Sequence, residues 1–174
     1  LSLQRMQDFK ALDLFEREAK ILSQLDHPSI PHYIDYFEIK SENNSCFYLV
    51  QEVANGKPLN ILIKEGWQPS EREVKKIAIQ ILEILKYLQQ LIPPVIHRDI
   101  KPENIIYSDE GKVSLVDFGA VQDVYHQTVT GRNTVVGTYG YMAPEQFYGQ
   151  AVLSTDLYGL GATLIYLLTI MSCI

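Results

Sequence analysis

The strongest constraint on the fold is local. Residues 105–107 and 113–116 are short runs of β-branched and apolar side chains, parted by Ser108-Asp109-Glu110-Gly111-Lys112. Two strand-like runs around an Asp/Gly-containing loop of about five residues predict a β-hairpin. One open end follows His97-Arg98-Asp99-Ile100-Lys101-Pro102-Glu103-Asn104, and the other leads into Asp117-Phe118-Gly119. If the hairpin is symmetric about its loop, Asn104 and Asp117 face each other at that end, roughly 5 Å apart along the backbone. An amide oxygen and a carboxylate so placed suit Mg²⁺, which takes few protein oxygens and leaves room for phosphate ligands. Asp99 sits in the turn just before, with Lys101 close by.

These residues resemble a known family. HRDIKPEN is similar to the catalytic loop of protein kinases, and DFG to their metal-binding motif. Ala143-Pro144-Glu145 stands where the family's APE closes the activation segment that opens at Asp117. Lys101, and Thr138 within Gly137-Thr138-Tyr139-Gly140-Tyr141, look like the serine/threonine branch rather than the tyrosine branch. The resemblance implies transfer of the ATP γ-phosphoryl to a Ser or Thr hydroxyl of a protein substrate, with ATP and Mg²⁺ as cofactors. It implies that Asp99 orients that hydroxyl and accepts its proton, that Lys101 steadies the transferring phosphoryl, and that Asn104 and Asp117 hold Mg²⁺. Arg98 would meet a phosphate on the activation segment, with Thr128, Thr130 and Thr134 as the candidate acceptors.

Upstream, residues 8–25 read as an amphipathic helix with Ala11, Leu12, Leu14, Phe15, Ala19, Ile21, Leu22 and Leu25 on one broad face. Glu18 is the odd member, because its neighbours three and four residues away are all apolar. A carboxylate buried there is costly unpaired, so a cationic partner is expected. Glu16, Arg17 and Lys20 lie nearer the wet face. In the resemblance, Glu18 matches the helix-C glutamate that pairs with a strand lysine to hold the ATP phosphates. His27-Pro28 and Pro31 break this helix, and 33–39 and 47–53 read as strands. The second strand runs into Gln51-Glu52-Val53-Ala54-Asn55-Gly56, which resembles the kinase hinge. There the Glu52 carbonyl and the Ala54 amide would read adenine, with Gln51 as gatekeeper.

Ser70 and Glu73 form a capping box ahead of Val74, Ile77, Ala78, Ile81, Leu82, Ile84, Leu85 and Leu88, predicting a long core helix. Its role is to deliver residues 95–96 and the His97-Arg98-Asp99 loop from a rigid support. The last stretch, 157–174, carries no charge and is long enough to be a membrane span. Gly159, Gly161 and Thr163, the absence of flanking basic residues and the N-cap signal at 154–156 favour a buried helix instead. It resembles kinase helix F, and Asp156 matches the aspartate that ties that helix to the catalytic loop.

The expected fold is α+β and protein-kinase-like: a truncated small lobe over 1–55 and an incomplete, mainly helical large lobe over 56–174. A chain of 174 residues with 47% hydrophobic content can bury a sizeable core. A net charge of −6 without a Lys/Arg stripe argues against nucleic acid as a partner. Cys46 and Cys173 have neither ligand spacing nor a disulfide framework, which fits a reducing, cytoplasmic setting. The chain starts at Leu1, and neither a glycine-rich loop nor a V-A-x-K strand precedes the first helix. The chain therefore reads as a kinase fragment running from helix C to helix F, with little activity of its own. The rival reading is a non-catalytic, pseudokinase-like binding module. Self-association through an exposed helix F is expected.

Overall fold

The computed structural model describes residues 2–3, 8–41, 44–123 and 135–169. Its N-terminal part is an antiparallel sheet of β1 (Ser2–Leu3), β2 (Tyr33–Ser41) and β3 (Asn44–Gln51), in the order β1-β3-β2. Helix α1 (Asp8–Leu22) packs against one face of this sheet. The seam is aromatic: the Phe15 ring lies 5.9 Å from Tyr36, which stacks on Phe47 at 6.3 Å. On the opposite face Phe37 sits across from Tyr48, their rings 5.2 Å apart and both exposed. Helix α1 ends at Leu22 rather than Leu25, because the amides of Gln24 and Leu25 bond three residues back and tighten the last turn ahead of Pro28. Ala19, Ile21, Leu22 and Leu25 are buried as the periodicity predicts. The side chains of Ala11 and Leu14 lie outside the described residues. Strand β3 stops at Gln51, two residues short of the expected end, although the Glu52 amide still bonds to the His32 carbonyl at 2.9 Å.

The C-terminal part is built on two long helices. Helix α3 (Glu71–Gln90) starts as predicted: the Glu73 amide donates to Ser70 Oγ, and Glu73 Oε2 accepts from the Ser70 amide at 2.7 Å. Its stripe of Val74, Ile77, Ile81, Ile84, Leu85 and Leu88 is buried, and each such side chain contributes about 1.5–3 kcal/mol. Leu82, expected in the same face, stands exposed on its flank. Helix α4 (Thr155–Thr169) packs on α3 through Leu160 and Leu167, with Leu164 half-buried, while Leu168 is exposed. Leu157, Tyr158 and Ile165 are exposed as well. Among the described residues, no helix is long and apolar enough to cross a membrane. Residues 170–174 lie outside them.

Between these helices run short strands. After β4 (Lys57–Pro58) and α2 (Leu59–Lys64), β5 (Val95–Ile96) follows α3, and the hairpin is β6 (Ile105–Tyr107) with β7 (Val113–Leu115). Strand β8 (Gln122–Asp123) pairs back onto β5, a contact the sequence pattern did not reveal. Two long-range bonds lock the first part to the second. The Leu115 amide donates to the Ser29 carbonyl at 2.9 Å, and the Asp26 amide donates to the Tyr87 hydroxyl at 2.8 Å.

Candidate active site

The loop 97–104 is held from below by Asp156 in the first turn of α4. Its two carboxylate oxygens accept from the amides of His97 at 2.8 Å and Arg98 at 2.7 Å. Gly159 makes this approach feasible, because a Cβ there would meet the Ile100 carbonyl oxygen at 2.8 Å. His97 is fully buried, edge-on to Phe118. Its Nδ1 accepts from the Asp99 amide at 3.3 Å, so Nε2 carries the proton it shares with the Val116 carbonyl at 3.2 Å. Burial lowers its pKa and favours this neutral form, with Asp156 and Asp99 opposing. Burial likewise raises the pKa of Asp156, against the pull of His97 and Arg98.

Arg98 stands at φ 68, a left-handed conformation that costs a non-glycine residue of the order of 1 kcal/mol or more. Its carbonyl accepts from Gln146 Nε2 at 2.8 Å, and its Nε donates to the Ala120 carbonyl. The next side chain, Asp99, is only 11% exposed. Asp99 Oδ2 accepts from Lys101 Nζ at 2.7 Å and from Asn104 Nδ2 at 3.2 Å. Asp99 Oδ1 accepts from the Thr138 hydroxyl at 2.7 Å, and the same hydroxyl accepts from Lys101 Nζ at 2.7 Å. Asp99, Lys101, Asn104 and Thr138 therefore form one closed network, drawn from two segments far apart in sequence. Thr138 entered the sequence reading as a marker of the branch; its contact with Asp99 has no local signature.

The hairpin register corrects one expectation. Ile105 pairs with Leu115 and Tyr107 with Val113, so the residue opposite Asn104 is Val116, whose amide donates to the Asn104 carbonyl at 3.0 Å. Asp117 lies one residue further on, with a left-handed φ of 62 and an exposed side chain. Its Oδ1 accepts from the Gly119 amide at 3.3 Å. Asn104, 4% exposed, also donates through Nδ2 to the Asp99 carbonyl at 2.9 Å. With its amide nitrogen held by Asp99, the Asn104 side-chain oxygen is the end left for a ligand. An amide oxygen and a carboxylate are the kinds of donor that suit Mg²⁺. Among the described residues no group of three or more His, Cys, Asp or Glu could hold a metal, so an ion here would need such an amide or ligands from outside the chain.

Glu18 reaches this site from α1. A Cβ on Gly119 would lie 3.2 Å from Asp117 Oδ1 and 3.5 Å from Glu18 Oε2, so both carboxylates crowd the same glycine. Burial first, and the Asp117 carboxylate second, push the Glu18 pKa up to about 7. The expected cationic partner is not there: among the described residues its charged neighbour is another carboxylate. Arg17 needs more account than a wet helix face. It sits close enough to Arg98 to join burial in lowering the Arg98 pKa to about 10, against the pull of Asp156. Thr128, Thr130 and Thr134 lie outside the described residues. Glu145 accepts from the Thr155 hydroxyl at 2.7 Å, which fastens the 3₁₀ turn Pro144–Tyr148 to the start of α4.

Residues 52–56 form an irregular link between β3 and β4, with Val53 exposed and Ala54 half-buried. Glu52 Oε2 is 3.4 Å from the His32 amide. The link borders a cavity of about 520 Å³ shared with Pro28, Ile30, Pro31 and the hairpin loop; Asp99, Asn104 and Asp117 do not line it. Sequence reasoning missed Gln146 and Arg17. The signal for Gln146 was its position just after Ala143-Pro144-Glu145, where an amide side chain buried at 3% exposure must find backbone partners.

Comparison with known proteins shows the family. The model of a family described as "Protein kinase domain" matches residues 2–173. The chain is 44% identical over 164 residues to serine/threonine-protein kinase D of Synechocystis sp., covering 90% of this chain and 30% of that protein. It is 42% identical over 163 residues to serine/threonine-protein kinase PknA of Nostoc sp., covering 89% and 28%. Against serine/threonine-protein kinase PrkC of Bacillus subtilis the identity is 35% over 156 residues, covering 89% and 23%. The chain thus spans less than a third of the length of these relatives.

Proposed function

The chain belongs to the protein kinase family, in company with bacterial serine/threonine kinases, and on that premise we propose that it transfers the γ-phosphoryl of ATP to serine or threonine hydroxyls of a protein substrate. The observation that carries the proposal is the Asp99 network. Asp99 presents Oδ1 to a hydroxyl, that of Thr138, while Lys101 and Asn104 occupy Oδ2. A carboxylate so held can orient an incoming hydroxyl and take its proton as the oxygen attacks phosphorus. Lys101 Nζ, 2.7 Å from Asp99, would follow the transferring phosphoryl as a point charge. Asn104 and Asp117 would hold Mg²⁺, which supplies charge neutralisation of the phosphate oxygens when bound.

Glu18 beside Asp117 is suited to anchor a cation that in turn grips the nucleotide phosphates. The Glu52 carbonyl and Ala54 amide would read adenine. Arg98 and its neighbour Arg17 would meet a phosphate on the segment that includes Thr128, Thr130 and Thr134. Residues 1–55 and 56–174 would be the remnant small lobe and the large lobe.

The test is a transfer assay with labelled ATP, with and without Mg²⁺, on matched peptides carrying Ser, Thr or Tyr. Label on Ser and Thr that requires Mg²⁺ is expected once a glycine-rich loop and a phosphate-gripping lysine are supplied N-terminal to residue 1, with only weak label from residues 1–174 alone. ATP binding without transfer to any hydroxyl would favour the binding-module alternative.

A further inference from the structure

One side chain joins the loop that carries Asp99 to the loop that carries Thr138, and neither the family motifs nor the proposed mechanism assigns it a role. Gln146 lies in the 3₁₀ turn Pro144–Tyr148 and is 3% exposed. Its Nε2 donates both to the Arg98 carbonyl at 2.8 Å and to the Val136 carbonyl at 3.0 Å, while its Oε1 accepts from the Ala143 amide at 2.9 Å. The first acceptor belongs to the peptide bond that enters Asp99, at the left-handed Arg98. The second belongs to the residue before Gly137-Thr138. A single amide nitrogen therefore sets the spacing between the two loops whose side chains meet at Asp99 Oδ1.

The neighbouring glycine is shaped for this contact. Gly137 has φ 137, and a Cβ there would fall 2.9 Å from Gln146 Nε2, 3.1 Å from the Arg98 carbonyl oxygen and 2.7 Å from Met142 Cγ. A side chain at 137 would drive the amide out of its place. Beyond it, Thr138 is held in a turn by bonds from the Tyr141 and Met142 amides to its carbonyl at 3.0 and 3.1 Å.

We propose that Gln146 is a positioning residue: its amide nitrogen locks the Thr138 turn to the Arg98–Asp99 peptide and so fixes where a substrate hydroxyl meets Asp99. This rests on the phosphotransfer reading for its consequence in catalysis, but not for the geometry. Serine or threonine substrates are the ligands whose placement depends on it; nucleotide binding is not.

Two variants separate the clamp from simple loss of packing. Gln146→Glu keeps the shape and the acceptor for the Ala143 amide but removes both donors, and Gln146→Met keeps volume alone. Hydrogen exchange in the purified protein is the first measurement. In both variants the Tyr141 and Met142 amides should exchange about tenfold faster, the effect expected of one lost net hydrogen bond, with the buried amides of α3 unchanged. Unchanged exchange at 141 and 142, or an equal rise throughout α3, overturns the clamp. The second measurement is peptide phosphorylation. Gln146→Met should lower kcat/KM for peptide about tenfold with the KM for ATP unchanged, and adding it to Thr138→Val should cost less than about a further threefold, since both act on one contact. Additive losses, or a matching rise in the KM for ATP, would refute the positioning role. If the parent protein transfers no phosphoryl group, the phosphotransfer reading falls while the exchange result still decides the clamp.

Discussion

The hydroxyl of Thr138 donates to Oδ1 of Asp99 at 2.7 Å, across a separation of 39 residues. It offers the carboxylate the same kind of bond that a substrate serine or threonine would offer. Lys101 bonds to both partners, so Thr138 also fixes the cation. Asp99 Oδ1 accepts from a hydroxyl, while Oδ2 is held by Lys101 and Asn104.

Thr138→Val keeps the shape of the side chain and removes the hydroxyl. Loss of a hydrogen bond to a charged group should lower kcat about ten- to hundredfold. Thr138→Ser, which restores the hydroxyl, should remain within about threefold of the parent. Steady-state peptide phosphorylation checks this, and equal rates for Val and Ser would remove the contact from the mechanism.

Asn104→Ala and Asp117→Asn should each raise the Mg²⁺ concentration needed for half-maximal activity by about tenfold or more. Asn104→Ala should in addition lower kcat at saturating Mg²⁺, because Asn104 Nδ2 bonds to both the carbonyl and the carboxylate of Asp99. A Mg²⁺ titration of the two variants checks both effects. An unchanged requirement in Asp117→Asn would take Asp117 out of the metal site.

Glu18 predicts a pH dependence of stability. Its carboxyl holds a proton up to about pH 7 in the folded chain, against an ordinary value of 4.5. Between these values the folded state binds more protons than the unfolded state, so stability falls as pH rises through that window. The penalty is complete above about pH 7. Allowing for the part of the side chain that meets solvent, it is on the order of 1–2 kcal/mol. Glu18→Gln should flatten the fall in Tm between pH 5 and pH 7, and Asp117→Asn should reduce it, since the Asp117 charge is the second cause of the shift. A slope unaltered by Glu18→Gln would place the titration elsewhere.

Leu157, Tyr158, Ile165 and Leu168 leave an apolar stripe along α4, each 45–57% exposed. Contiguous apolar surface of this kind favours association. Light scattering should show self-association of the isolated chain that rises with concentration, and Ile165→Glu should suppress it. A monomer at all concentrations, with no uptake of a hydrophobic dye, would show the stripe to be inert.

What could be read from the sequence was what is decided within a few residues. Ser70 and Glu73 cap α3 because their partners are three residues apart. The apolar stripe of α3 is buried because its period is that of a helix. The hairpin was legible too, but its register was off by one. The Ser108 amide bonds to the Lys112 carbonyl and the Gly111 amide to the Ser108 carbonyl, and this closure pairs Tyr107 with Val113. A loop of residues 108–112 closed symmetrically in this way puts Val116, not Asp117, opposite Asn104, so the expected symmetry holds and the one-residue error was in the counting. The motif residues Asp99, Lys101 and Asn104 do come together around one carboxylate. What escaped was contact at long range: Thr138 on Asp99, Gln146 on Arg98, Arg17 near Arg98, and β8 on β5. Glu18 was legible as a buried charge, but its neighbour Asp117 lies in another motif, and nothing local to the helix pointed to that carboxylate.

The central claim is that Asp99 is the group that receives the substrate hydroxyl. Asp99→Asn preserves the size of the side chain and removes the acceptor charge that Lys101 and Thr138 address. The direct measurement is single-turnover transfer of labelled phosphate from ATP to a serine peptide, at saturating Mg²⁺, by the chain completed with the small-lobe strands of a kinase, for the parent sequence and for Asp99→Asn. The account predicts a rate lower by about 10²–10⁴-fold in the variant, with ATP affinity within about threefold of the parent. Transfer at the parent's rate by the Asp99→Asn protein would contradict it.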